Sequence, residues 1–170
     1  LMFERLRAFD QPAVVQIEPD FWGYAFRAGP PDGSAVVKLS AHVPECADLP
    51  DTLAGMGRCF VKLRDALAPK VAVGLHITNW DFSVPELIAF NQAVGADLGD
   101  FVTIETLDRD AGCFEEGRAS NCRRGGAFYW DESNTTSPNF HEHLAWVKQV
   151  TDALGVPALW WQTPLGVPSD

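Results

Sequence analysis

Four short apolar runs set the limits on what this chain can fold into: "AVVQIE" at 13–18, "VAVGLHI" at 71–77, "FVTIETL" at 101–107 and "VPALWWQ" at 156–162. Each is of strand length, and the runs are separated by stretches with helical spacing. From Asp51, "DTLAGMGRCFVKLRDALA" places Leu53, Met56, Phe60, Leu63 and Leu67 on one stripe, with Asp51 as the expected cap and a stop before Pro69. "SVPELIAFNQAVGADLG" opens on Ser83 with Pro85 in its first turn, and "SPNFHEHLAWVKQVTDALG" has Pro138 early and Gly155 at its end. Near-continuous apolar strands alternating with amphipathic helices predict an α/β chain, with a parallel sheet covered by helices on at least one face.

The connections are unequal. Links from helix to strand are short ("APK", "GD", "GVP"), whereas the long segments all follow strands. Elaborated loops at the carboxyl ends of parallel strands are where both barrels and open α/β sheets put their ligand sites. A complete (β/α)₈ barrel takes about 250 residues, and this chain holds four strands in 170. The expected fold is therefore a TIM-like (β/α) barrel of which residues 1–170 supply about four consecutive units, as a single and partial domain. An open flavodoxin-like sheet is the alternative, though its Gly-rich phosphate loop is missing. Half a barrel leaves an apolar inner face, so missing barrel segments or a second copy are expected to cover it.

Net charge is −10, from 23 acidic and 13 basic residues, and "CRRGG" at 122–126 is too short to form the basic stripe of a nucleic-acid partner. No apolar run approaches the roughly 20 residues of a membrane span. Neither nucleic acid nor membrane is an expected partner, and a neutral or weakly cationic substrate fits better. The four cysteines form two local pairs, Cys46 with Cys59 and Cys113 with Cys122, each closing a small loop. Two disulfides in a secreted or periplasmic protein is one reading; four reduced thiols in a cytosolic one is the other.

The strand ends carry the chemistry. After the first come Glu18, Asp20, Phe21, Trp22 and Tyr24; after the second, His76, Thr78, Asn79, Trp80 and Asp81. The third ends in Glu105, Asp108, Arg109 and Asp110, and the fourth in Trp160, Trp161, Gln162 and Thr163. Carboxylates beside aromatic rings suit glycosidic-bond cleavage: one carboxyl protonates the leaving oxygen, another acts as base or nucleophile, and rings stack on sugar faces. Glu18, Asp20, Glu105, Asp108 and Asp110 are the candidates for proton transfer. Trp22, Trp80 and Trp161 are candidates for stacking, with His76, Asn79 and Gln162 on hydroxyls and Arg109 orienting a carboxylate. Any one of these carboxylates equally fits a solvated turn or a loop salt bridge, and His76 a satisfied core histidine. His141 and His143 on "FHEHLAW" are two apart and share no helix face, so they read as solvated first-turn residues rather than metal ligands. No cofactor and no metal site is expected on the main reading.

At "QIEPDFWGY" the sequence resembles secreted glycoside hydrolases of β/α-barrel fold. "IEPD" is similar to the strand-end motif of the family-6 cellulases, and a cysteine-bracketed helix, "ECADLPDTLAGMGRC", and a strand entering a Trp-containing loop follow it as in that family. The resemblance covers residues 13–81. It implies that Asp20 matches the family's aspartate that helps stabilise the charged sugar, with the family's main acid upstream of Leu1. Glu18-Pro19 after a strand also resembles retaining barrel glycosidases, in which an acid/base Glu follows strand four and a nucleophile Glu follows strand seven. On that comparison the nucleophile position falls on Gln162, a departure that moves the role to Glu105 or changes the mechanism. The expected function is glycoside hydrolysis of a polysaccharide or oligosaccharide. The rivals are a non-catalytic carbohydrate-binding barrel and a metal-dependent hydrolase using His76 with Asp108 and Asp110.

Overall fold

The structure is a computed structural model that describes residues 1–78, 83–105 and 140–161. Its strands are β1 (Ala13–Ile17), β2 (Val71–Ile77), β3 (Phe101–Glu105) and β4 (Ala158–Trp161). They form one parallel sheet in the order β1-β2-β3-β4, so each strand lies beside its successor in the chain. Register pairs Ala13 with Val71 and Ile17 with Leu75. The helices are α1 (Met2–Phe9), α2 (Phe21–Ala28), α3 (Leu39–His42), α4 (Leu53–Leu67), α5 (Val84–Ala93) and α6 (Phe140–Leu154).

The chain divides into two compact units. The first, residues 1–103 and 150–159, contains β1, β2, most of β3 and helices α1 to α5. Alternation along β2 sends Val71, Val73, Leu75 and Ile77 to one face, all buried, and α2 and α4 pack on this strand. Each such side chain contributes about 1.5–3 kcal/mol when fully removed from water. The second unit, residues 104–149 and 160–170, is described through the ends of β3 and β4 and the first ten residues of α6.

Helix α4 departs from the single-stripe expectation. Its buried residues are Leu53, Gly55, Gly57, Cys59, Val61 and Arg64, while Met56 and Leu63 pack into a separate cluster with Leu39, Cys46 and Cys59. The helix is enclosed on more than one side, which is why glycines serve it: a Cβ on Gly55 would meet the Pro50 carbonyl oxygen, and one on Gly57 that of Val94. Its cap is Thr52, whose Oγ1 accepts from Gly55 N at 3.3 Å, and not Asp51. Asp51 instead accepts from the Ser40 backbone N–H and hydroxyl, at 2.7 and 2.8 Å, fastening the excursion that carries α3. Cys46 and Cys59 are disulfide-bonded, with Cα atoms 5.8 Å apart; Cys113 and Cys122 lie outside the described residues.

Helix α5 ends at Ala93, short of the expected 99, because Gly95 takes a left-handed φ of 83° and Ala96–Leu98 continue as a 3₁₀ turn. At the amino-terminal end of the sheet, Arg64 donates to the Val71 carbonyl at 3.0 Å and pairs with Asp100, which accepts from Val73 N at 2.8 Å. Burial works against the Arg64 charge, but the hydrogen bonds to Asp100 and Asp65 outweigh it and hold the guanidinium above its ordinary value.

The expected bare apolar face is found only in part. Val14, Leu159 and Trp160 on the two edge strands are 65%, 45% and 42% exposed, whereas β2 has both its faces covered: Gly74 and His76 are as enclosed as Val73 and Leu75.

Candidate functional site

Toward the carboxyl ends of β1, β2 and β3, within the first unit, three polar side chains from three neighbouring strands meet. Gln16 on β1 donates through Nε2 to Thr103 Oγ1 on β3 at 2.9 Å and contacts His76 Nδ1 on β2 at 3.2 Å. The third side is His76 Nδ1 to Thr103 Oγ1, at 3.0 Å. His76 and Thr103 are each 1% exposed. Register explains how Gln16 reaches them. Gln16 pairs with Gly74, two residues before His76 and on the same face of β2, so its long side chain extends diagonally to reach the ring. Gly74 is glycine because a Cβ there would enter the Phe101 ring. Three polar groups in a sheet otherwise lined by Val, Ile and Leu are tolerable because they satisfy one another. Two residues beyond His76, Thr78 is 2% exposed, and its Oγ1 is buried without a partner among the described residues.

Glu18 stands beside the level of His76 in register, one residue past the end of β1. Its backbone adopts φ 42°, in the left-handed region and directly before Pro19, a combination that sterics oppose. This turn aims the Glu18 carboxylate at the Phe21 backbone N–H, from which it accepts a hydrogen bond. Asp20 is the cap residue of α2 by position but makes no capping bond with its own side chain, and it is exposed. The segment after β1 is therefore a helix start as well as a carboxylate cluster.

Trp22, expected as a sugar platform, is a core residue. It is 2% exposed, donates from Nε1 to the Ile17 carbonyl at 2.9 Å, and meets Phe21 and Phe60 edge to face. Both its polar handle and its rings are committed inside the protein. Phe21 and Tyr24, 38% and 60% exposed, are the aromatic residues that this helix offers to solvent.

In the second unit, Glu105 is the last residue of β3 and 7% exposed. Its backbone carbonyl accepts from the His143 ring. His143 is buried rather than solvated, at 4% exposure, stacked on Trp146 with centroids 5.5 Å apart and tilted against Trp160 at 5.8 Å. Burial pushes its imidazole below the ordinary 6.5, and the hydrogen bond to the Glu105 carbonyl opposes that in part. Trp160 thus faces the helix-borne His143, and alternation sends the half-buried Trp161 to the other face of β4. His141 and Glu142 are exposed.

Asn79, Trp80, Asp108, Arg109, Asp110 and Gln162 lie outside the described residues. Among the described residues, no group of three His, Cys, Asp or Glu is arranged to hold a metal ion, and no helix is long and apolar enough to cross a membrane. Of the expected site residues, Glu18 directly follows β1, and His76 lies near the end of β2, the strand that pairs with β1. Gln16 and Thr103 were not among the candidates. The signal for them is a shared strand ending, a polar residue followed by Ile and then Glu or Thr: Gln16-Ile17-Glu18, His76-Ile77-Thr78 and Thr103-Ile104-Glu105.

No protein-family model, curated protein or solved structure matches this chain.

Proposed function

We propose that this chain is a secreted or periplasmic glycoside hydrolase built on a (β/α) barrel, of which β1 to β4 are consecutive staves. The observation that carries the reading is the Gln16–His76–Thr103 cluster. It is a hydrogen-bonding group toward the carboxyl ends of parallel strands, where barrel enzymes bind their ligands, and side-chain amide, hydroxyl and imidazole groups suit hydroxyl-bearing substrates. Strand order supports the barrel: β1-β2-β3-β4 runs without the reversal that creates the ligand crevice of doubly wound sheets. The Cys46–Cys59 disulfide ties the turn before α4 to the middle of that helix rather than bracketing a helix, and it favours an oxidising compartment.

The candidates for proton transfer are Asp20, Glu105, Asp108 and Asp110, each to be tested singly. Glu18 has the weaker claim because its carboxylate is engaged with Phe21 N. That same engagement favours the second reading, a carbohydrate-binding barrel that does not cleave. Release of reducing ends from β-glucans, xylans and α-glucans tests the proposal. Asp20→Asn and Glu105→Gln are expected each to lower kcat by about 100-fold or more while the protein stays folded. Retention of one of these polysaccharides without cleavage supports the binding barrel, and neither retention nor cleavage overturns both readings.

A further inference from the structure

We infer that Phe21 and Tyr24, on the outward face of α2, are the stacking platform for a neutral saccharide chain, the task expected of Trp22. The inference rests on the glycosidase reading and gives it a binding surface. Three apart on one helix, the two residues lie on the same face. They are 38% and 60% exposed, whereas Trp22, Gly23 and Phe26 are buried. Helix α2 thus carries aromatic residues on both faces, and its packing on the sheet leaves much of Phe21 and Tyr24 in solvent.

Two contacts fix where Phe21 stands. Its backbone N–H donates to the Glu18 carboxylate, which closes the first turn of α2. Its ring meets Trp22 edge to face at 5.1 Å, and Trp22 is itself tied to the Ile17 carbonyl through Nε1. A ring fixed before binding loses little rotamer freedom on stacking. The φ of 42° at Glu18 places local strain at the entry to this helix, and strain of that kind clusters at ligand sites.

Charge selects the occupant. The exposed carboxylates of Glu18 and Asp20 precede the rings, and the basic residue of α2, Arg27, stands in its last turn. Ionised carboxylates accept hydrogen bonds and donate none, so they suit a ligand rich in hydroxyls and repel one that carries carboxylates of its own. A neutral pyranose chain meets both needs, with C–H faces for the rings and hydroxyl donors for the carboxylates. A second copy docked symmetrically on this face would instead bring Glu18 and Asp20 towards the same two residues, like charge against like.

The test is isothermal titration calorimetry of the purified protein with cellohexaose, xylohexaose, maltohexaose and hexagalacturonate. At least one neutral hexaose is expected to bind, and the acidic one is not. Tyr24→Ala, and Phe21→Leu, which keeps apolar volume without a ring, are each expected to weaken that binding about five- to tenfold. Tyr24→Phe restores a ring and is expected to recover the affinity that Tyr24→Ala loses; failure to recover it overturns stacking. Should Phe21→Leu not fold, the two Tyr24 variants decide alone. Unchanged affinity and cleavage in Tyr24→Ala overturn the platform and leave the glycosidase reading in place. Hexagalacturonate bound as tightly as the neutral chains overturns the choice of ligand. A wild-type protein that neither binds nor cleaves any of these hexaoses refutes both readings. Light scattering covers the remaining occupant: a wild-type dimer that Tyr24→Ala breaks makes this face an interface between copies and overturns the inference.

Discussion

The Glu18 carboxylate accepts a hydrogen bond from the backbone N–H of Phe21, and Glu18 holds φ at 42° to do so. A residue at the end of β1 thereby caps the first turn of α2, a task its neighbour Asp20 leaves undone. The left-handed conformation costs an L-residue about 1–2 kcal/mol, and the cap returns about 1 kcal/mol. Replacing Glu18 by Ala should keep the strain and lose the cap, whereas replacing it by Gly loses the cap but relieves the strain. Glu18→Gly is therefore expected to be more stable than Glu18→Ala by about 1 kcal/mol, the reverse of the usual order in regular structure. Urea denaturation of the two variants side by side decides it, and an Ala variant equal to or better than Gly would show that no strain is stored.

Gly57 is set against the end of α5. A methyl group at this position meets the Val94 carbonyl oxygen, a backbone atom that cannot swing aside as a side chain would. Gly57→Ala is expected to destabilise the protein by about 1–3 kcal/mol, as overpacking does, although alanine is the better helix former. A neutral or stabilising effect in thermal unfolding would mean that α4 and the end of α5 separate easily.

The disulfide joins residues 13 apart across the satellite cluster of Leu39, Cys46 and Cys59. Loop closure on this scale stabilises by about 3 kcal/mol. The Cys46→Ala, Cys59→Ala double variant should lose that amount in chemical denaturation. A loss well under 1 kcal/mol would show that the unfolded chain is already constrained around this loop.

His143 gives a pH dependence with a defined sign. Burial depresses its folded-state value below 6.5, with the Glu105 carbonyl opposing in part, so on acidification the unfolded chain takes up a proton before the folded one does. Its contribution is complete above about pH 6.5 and is lost as pH falls below that, until the folded ring itself protonates. His143→Phe keeps an aromatic ring beside Trp146 and removes the titration. The slope of stability against pH just below 6.5 is expected to be shallower in the variant, and identical slopes would argue that His143 titrates as it does in the unfolded chain.

The four strands were legible from their apolar runs, and β2 occupies the expected 71–77 because β-branched and apolar residues fill it to both ends. The stop of α5 was obscured because the apolar pattern continues to Leu98 past the left-handed Gly95, so periodicity alone did not mark the change to a 3₁₀ turn. Helix α2 was hidden by the carboxylates at its entrance, although Trp22 and Phe26, four apart and both buried, carry its signature. At the site, His76 is recognisable as a histidine inside an apolar strand. Gln16 and Thr103 are ordinary in isolation, and it is the register between strands that brings them to the same ring. The conformation of Glu18 runs against local preference, since residues before proline favour extended backbone. Only tertiary demand, here the open first turn of α2, selects it.

The cluster around His76 also ties the site to the order in which the chain acquires structure. Gln16 is 60 positions from His76 and 87 from Thr103. A nascent chain that has made β1 and β2 can pair them, but Gln16 and His76 still lack the hydroxyl that joins them. Contacts of such long sequence separation form late, after the loop entropy between them has been overcome. Synthesis past Thr103 and docking of the third strand complete the polar triangle before β4 joins the sheet, and a chain that ends before β3 lacks it.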